Sequence, residues 1–316
     1  MKTLYFDCIS GASGDMIIGS LLDLGTDPLY LKEELSKLGI DSEYEISIKK
    51  VNKNGITATK FDVLLKDHAH FHHHDHEHEH THDESQMEHG HPHDHHEPAG
   101  GIGQSVHDHS HTDTHHHHSH EGHGHSHEQH HEPYSHTEVS HSHSHSHRTF
   151  SSIKRMIESS SLLEEVKSLS IRIFQKIAEA EGKIHGVPVE KVHFHEVGAV
   201  DSIIDIVGTA ILVSSINPDK ISASPVPVGS GKIAIDHGLY PVPAPATLEI
   251  LRGVPIEESD VRFELTTPTG AAIIAVLAER FGSIPSITVD TVGYGAGNKT
   301  FPSHPNVIRS IIGHSN

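Results

Sequence analysis

The sharpest chemical feature of the chain is His193-Phe194-His195-Glu196, two imidazoles one residue apart with a carboxylate beside them. On a strand, alternate side chains share a face, so His193 and His195 would point the same way. Imidazole is a borderline ligand that suits Ni²⁺, Cu²⁺ and Zn²⁺. Glu196, or Asp201 and Asp205 just downstream, could complete a small metal site, since residues four apart lie on one helical face. The same spacing also serves a hydrogen-bonded histidine pair inside a fold, and spacing alone leaves both readings open. A metalloprotease motif is excluded, because no histidine stands four residues after His195.

The second constellation runs from Asp7 to Asp15. Gly11 and Gly14 permit a tight turn, with Ser13 between them, ahead of a helix. Free amides at a helix start favour an anion such as the phosphate of a nucleotide-like ligand, so Gly11, Ser13 and Gly14 are candidate ligand-binding residues. Asp7 and Asp15 could hold a divalent ion there. A plain strand–turn–helix connection with Asp15 as a first-turn acid explains the pattern equally well. It is no P-loop, because no Lys-Ser or Lys-Thr follows the second glycine. By residue type, Asp15, His195 and Glu196 are the candidates for moving a proton.

A third feature is compositional. Residues 67–147 hold 32 of the 38 histidines and 15 of the 43 acidic residues, with no Lys or Arg. So many imidazoles and carboxylates offer overlapping metal sites with no single essential ligand. The segment lacks apolar periodicity, so it is expected to be disordered. The rest of the chain is near balance, with 28 acidic against 23 basic groups. The overall charge of −20 argues against nucleic acid and against an anionic membrane surface. No apolar run approaches a membrane span, the N-terminus reaches Asp7 too early for a signal peptide, and a lone Cys8 makes no intramolecular disulfide. These features point to a cytoplasmic protein and exclude a cysteine-rich zinc site.

The elements that must position these residues follow from periodicity. Residues 2–8 read as a buried strand, and 16–24 as a helix ending at Gly25. Asp27-Pro28 restarts a helix with Leu31, Leu35 and Leu38 on one face. Residues 43–51 and 56–65 form a hairpin about Asn54-Gly55. Order resumes near Phe150. Ser161-Leu162-Leu163-Glu164 has the capping-box pattern ahead of an amphipathic helix from Leu162 to Ile184. A segment from Val192 to Val197 and a helix over 201–216 come next. Strand-like pieces at 221–228, 286–292 and 306–312 then alternate with helical ones at 245–252 and 269–280. Gly293-Tyr294-Gly295-Ala296-Gly297 reads as a glycine-rich turn. The expected class is α/β or α+β, a mixed sheet with packed helices, divided into 1–66, the insert 67–147, and 148–316.

Several of these stretches resemble one family in order and at length. Asp7-Cys8-Ile9-Ser10-Gly11-Ala12-Ser13-Gly14-Asp15-Met16 resembles the opening signature of the nickel insertion proteins of nickel-pincer cofactor biosynthesis. So do Val192 to Asp205, Pro225 to Gly231, Pro241 to Thr247, Leu265 to Ala272, Gly293 to Gly297 and Pro305 to Arg309. The resemblance covers 1–66 and 148–313, and a variable His-rich insert is typical of it. It implies insertion of Ni²⁺ into pyridinium-3,5-bisthiocarboxylic acid mononucleotide, a lyase-type chelatase reaction. One metal–carbon and two metal–sulfur bonds form and a proton leaves the ring carbon. It also implies CTP with Mn²⁺ or Mg²⁺ as co-requirements, and apo lactate racemase-type enzymes as recipients of the product. Long members continue into a second domain associated with nucleotide use, whereas this chain stops at His314-Ser315-Asn316. The expectation is either a separately encoded second domain or a role for this chain as a metal-loading subunit.

Two other readings stand beside this one: a nickel storage or delivery chaperone without catalysis, and a metal-dependent hydrolase using His193, His195 and Asp201. All three share the histidine tract. Its metal uptake should fall as pH drops through about 6.5, where imidazole protonates. Equilibrium dialysis with Ni²⁺ tests this, and uptake that is flat between about pH 8 and pH 5.5 would rule out imidazole as the main ligand.

Overall fold

The computed structural model describes residues 1–66, 148–194, 197–235 and 238–315. The insert expected at 67–147 therefore lies outside the described residues, as do His195, Glu196, Asp236 and His237.

The first half of the described chain runs β1 (Lys2–Asp7), α1 (Gly14–Asp23), α2 (Pro28–Ser36), β2 (Tyr44–Lys53) and β3 (Ile56–Leu65). After the insert come α3 (Phe150–Ser159), α4 (Glu164–His185), a 3₁₀ turn at Val189–Lys191, and α5 (Val200–Ile216). The remainder is β4 (Lys220–Ala223), β5 (Val226–Pro227), β6 (Lys232–Ile235), β7 (Gly238–Pro241), α6 (Pro245–Ile250), β8 (Ile256–Glu257), α7 (Pro268–Leu277), β9 (Arg280–Phe281), β10 (Thr288–Ala296) and β11 (Val307–His314). This is the mixed α/β class that the sequence implies.

Seven strands form one mixed sheet in the order β2-β3-β10-β11-β1-β4-β9. The C-terminal strand β11 lies antiparallel between β10 and β1, so the two ends of the described chain meet in the middle of the sheet. β4 and β9 extend it in parallel beyond β1. Two small two-stranded pairs, β5 with β8 and β6 with β7, stand apart from it. The hairpin turns at Asn54 and Gly55, both with positive φ (49° and 89°), as an Asn-Gly connection favours.

Helix α1 lies across β3, β10 and β11, and α5 packs on α1, α2, α4 and α7. Ile203, Ile204, Ile206, Val207, Ala210, Ile211 and Leu212 of α5 are all fully buried. A helix that is apolar on every side belongs in the middle of a domain, and α5 sits there. Its C-terminus is closed by Asn217 in the left-handed conformation, and that of α4 by Gly186.

Three local expectations are revised. The glycine-rich stretch 293–297 is largely strand, since β10 runs to Ala296. Its glycines answer to a close crossing: a Cβ on Gly293 would stand 2.3 Å from the Ser20 carbonyl oxygen, and one on Gly295 only 1.7 Å from that of Met16. Helix α1 therefore rests directly on the backbone of β10. Asp23 fixes the far end of this contact, accepting hydrogen bonds from Tyr294 N (2.8 Å) and Thr59 Oγ1 (2.7 Å). The capping box at Ser161 does not form. Leu162 is buried, the chain stays extended through Leu163, and α4 begins only at Glu164. Finally, at His193 the segment after Val192 makes a single isolated bridge to Thr149 rather than a strand. The face-sharing argument for His193 and His195 thus loses its premise at the described residue.

A Gly295→Ala substitution should destabilise the protein by about 3 kcal/mol, because the new methyl group meets backbone rather than a movable side chain. Urea unfolding checks this, and a loss below about 0.5 kcal/mol would mean that α1 does not rest on β10 as described.

Candidate functional site

Three helices begin at one place. The first turns of α1 (Ser13, Gly14, Asp15), α5 (Asp201, Ser202) and α7 (Thr267, Pro268, Thr269) line a cavity of about 320 Å³. Phe61, Asp62 and Val63 of β3, with Val197, Asp205, Glu264 and Asn298, complete its wall. Each helix start follows from local sequence. Thr267 caps α7 by accepting from Gly270 N (3.2 Å), with Pro268 at the first helical position. Asp201 accepts from Ser202 N (2.8 Å) in the first turn of α5.

Asp205, one turn further along α5, is the most unusual group. The residue is half-buried, its buried Oδ1 has no hydrogen-bond partner, and the Asp15 N–H donates to its carboxylate. A Cβ on Gly14 would stand 2.5 Å from Asp205 Oδ2, so only glycine allows the carboxylate to sit against the start of α1. Burial, then the nearby Asp15 and Asp201, raise the Asp205 pKa well above the usual carboxylate range. The group seated at this helix start is thus a protein carboxyl, at one of the positions where the sequence left a phosphate site and a plain strand–turn–helix connection equally open.

Among the described residues, Lys60 is the cation in direct contact with Asp15. Its Nζ is 2.6 Å from Asp15 Oδ2 and 2.9 Å from Asp62 Oδ1, and it also donates to the Phe61 carbonyl at 2.8 Å. Burial would favour the neutral amine, but Asp15 and Asp62 outweigh it and hold the Lys60 pKa above its ordinary value. Asp62 is correspondingly lowered: burial opposes ionisation, and the Lys60 and Lys49 contacts win. Ser13 Oγ donates to the other oxygen of Asp15. Five carboxylates, Asp15, Asp62, Asp201, Asp205 and Glu264, thus line the cavity, with Lys60 paired to Asp15 and Asp62 and Lys49 also on Asp62. Such a site takes a cation, and oxygen-rich donors suit a divalent one.

The structure brings together Ser13, Gly14, Asp15, Asp201 and Asp205 from the sequence candidates. Asp7 stands apart from them, paired with Arg309, whose Nε is 3.1 Å from Asp7 Oδ2. Gly11 lies beneath Leu265 and does not line the cavity. His193 is exposed and does not line it either. His195 and Glu196 are outside the described residues, and Val197, which follows them in the chain, lines the cavity. Among the described residues no three His, Cys, Asp or Glu side chains are grouped tightly enough to hold a metal ion. Cys8 is not a thiolate ligand, because burial first of all pushes its pKa up to about 12.

Sequence reasoning missed Lys60, Asp62, Glu264 and Asn298. For two of them a signal was present. Lys60 and Asp62 alternate with Phe61 on a strand otherwise rich in apolar residues, which marks one charged, partly buried face.

A family model described as "Nickel insertion protein" matches residues 4–316. The chain is 42% identical over 313 residues to the pyridinium-3,5-bisthiocarboxylic acid mononucleotide nickel insertion protein of Geobacillus kaustophilus, covering 99% of this chain and 60% of that protein. Proteins of the same description from Clostridium kluyveri and Clostridium acetobutylicum are 41% and 45% identical, each over 99% of this chain and over 62% and 64% of their own length. The chain thus spans about three fifths of the length of these relatives. No solved structure matches it.

Asp205 yields a stability prediction. A carboxyl whose folded pKa is raised contributes fully below its unfolded value, about 3.9, and loses that contribution as pH climbs from there towards the raised value. Asp205→Asn keeps an oxygen for the Asp15 N–H and cannot ionise. The variant should therefore show a flatter stability profile and gain on the parent protein as pH rises from 4 towards neutral. Urea midpoints at several pH values decide this, and parallel profiles for the two proteins would show that Asp205 ionises without penalty.

Proposed function

The chain belongs to the nickel insertion protein family, and from that premise we propose that it binds Ni²⁺ and inserts it into pyridinium-3,5-bisthiocarboxylic acid mononucleotide, as a lyase-type chelatase of nickel-pincer cofactor biosynthesis. The observation that carries this reading is the unbroken family match over residues 4–316, which takes in every wall of the acidic cavity. Ni²⁺ is cargo in this reaction. The imidazoles of 67–147 gather it by composition, and the acidic cavity receives it.

Within the cavity, Asp201 and Asp205 are the proposed oxygen ligands, with His195 and Glu196 as the candidates next in the chain to its Val197 wall. Asp7 is left out of the proposed set because it pairs with Arg309 outside the lining, and His193 because it is exposed and does not line the cavity. The two nickel–sulfur bonds and the nickel–carbon bond replace protein ligands, and the ring proton needs an acceptor. Asp15, His195 and Glu196 are the candidates. Lys60 at 2.6 Å fixes the direction of the Asp15 side chain. CTP with Mn²⁺ or Mg²⁺ belongs to the same proposal. The unpartnered buried oxygen of Asp205 beside two further acids fits such an oxygen-seeking ion. A separately encoded nucleotide-using domain and apo lactate racemase-type enzymes are the proposed partners.

The histidine tract by itself favours a second reading, nickel storage or delivery without insertion. One experiment separates the two. The purified chain is incubated with Ni²⁺, CTP, Mn²⁺ and the bisthiocarboxylate mononucleotide, and the product is followed by mass and by activation of apo lactate racemase. Product formation is the expected outcome, and it should be lost in Asp201→Asn. Bound Ni²⁺ without product would instead make the chain a delivery subunit.

A further inference from the structure

A second cavity, of about 750 Å³, opens on the other side of the segments that wall the acidic one. Consecutive residues face opposite ways: Glu264 lines the acidic cavity and Leu265 the second, Asn298 the first and Lys299 the second. Its character is reversed as well. Ile9, Arg262, Phe263, Lys299, Phe301 and His304 face into it, and Asp260 is the one carboxylate among its lining residues. In a chain of net charge −20, two cations against one acid is a local exception.

The aromatic side chains are arranged as a platform. Phe263 and Phe301 have ring centroids 5.8 Å apart at 58°, and Phe301 stacks on His304 at 5.0 Å and 24°. Lys299 Nζ stands 5.5 Å from the centre of the Phe263 ring. Both phenylalanines lie on irregular segments, and neither belongs to the hydrophobic clusters that hold the sheet and helices together. Half-buried rings that the core does not use, with Lys299 over the face of Phe263 and Arg262 in the same lining, make a surface for a ligand that joins a planar ring to anionic groups. The volume falls within the range of small-molecule sites, about 300–1,000 Å³.

We propose that this cavity binds the pyridinium mononucleotide. Its positively charged ring lies against Phe301, and its phosphate and ring acids draw Lys299 off the Phe263 face and pair with it and with Arg262. The acidic cavity across the shared wall holds the metal, so this cavity is where the mononucleotide is first held, and insertion follows once its ring is brought to the metal. This assignment rests on the substrate proposed above. A nucleoside triphosphate fits less well, because it brings more negative charge than Arg262 and Lys299 can balance and its neutral base gains less from the phenyl faces.

The test is calorimetric titration of the full chain, without nickel, with nicotinic acid mononucleotide, which carries the same pyridinium ring, a ring carboxylate and a phosphate. Phe301→Leu and Arg262→Ala should each weaken binding about tenfold, while Phe301→Tyr keeps the ring and retains it. Asp201→Asn should leave the Kd within about twofold, since it alters only the acidic cavity. The proposal is overturned if the probe does not bind the parent chain at millimolar concentration. It is equally overturned if Phe301→Leu and Arg262→Ala bind it unchanged, if Asp201→Asn rather than these variants abolishes binding, or if Mn²⁺–CTP is the ligand lost in Phe301→Leu. Because the readout needs neither nickel nor turnover, a failure of insertion by this chain and a failure of this site give different results.

Discussion

Where α1 meets α5, a carboxylate is pressed into the start of the neighbouring helix with nothing but a glycine to make room for it. Asp205 reaches Gly14 so closely that no side chain fits, and the Asp15 N–H points back at it. That contact orders the rest of the acidic cavity. It sets the angle at which α1 leaves β1 and directs the Asp15 side chain towards Lys60, which also holds Asp62 of β3. It also aligns the first turn of α5 with that of α7. The far end of α1 is fixed by an analogous device, Asp23 bonded to the backbone of β10 and the hydroxyl of Thr59. Between these two anchors α1 lies on strand backbone at Gly293 and Gly295 with no side chain intervening. The cavity is therefore built on rigid elements at close approach, which is what a site needs if its donors are to hold position.

Two cavities of opposite sign share one wall in a chain that is strongly acidic overall. Electrostatics alone argues for a division of labour. A cation is drawn to Asp15, Asp62, Asp201, Asp205 and Glu264, and an anion is repelled there even though three helix starts converge. The helix-terminus effect is worth about 0.3–1 kcal/mol per end, and five carboxylates outweigh it. An anionic, ring-bearing ligand finds its counter-charges on Arg262 and Lys299 instead. Residues 262–269 carry both functions by alternation, so one short segment positions both cavities.

Much of this could be read from the chain, and the failures have physical causes. The strand at 2–8, the Asn54-Gly55 hairpin, the helix starting at Pro28 and the apolar helix after Asp201 follow from local rules, and each stands where expected. The motif residues Asp15, Asp201 and Asp205 were identified, and the fold converges them. What local rules could not supply was the sheet order, because β1 pairs with β11 from the opposite end of the sequence. Nor could they show that Gly293 and Gly295 serve a helix crossing rather than a turn, since the reason lies in α1 more than two hundred and fifty residues away. Lys60 went unnoticed because a lysine on a hairpin reads as solvated, until tertiary packing buries it between two acids. Phe263 and Phe301 carried no periodic signal at all, being on irregular segments.

On the proposed function, the chain must release the nickel that it binds. A preformed set of tight ligands would lower the free energy of bound nickel and oppose its transfer. Carboxylate oxygens are harder donors than nickel prefers, and the two sulfurs of the proposed acceptor are softer, so transfer from Asp201 and Asp205 runs downhill in ligand preference. The raised pKa of Asp205 acts in the same direction. A buried carboxyl that resists ionisation binds a cation only by giving up its proton, and it regains that proton when the cation departs. Metal release and proton uptake at Asp205 are then one exchange. That exchange would offset part of the proton released from the ring carbon as the nickel–carbon bond forms.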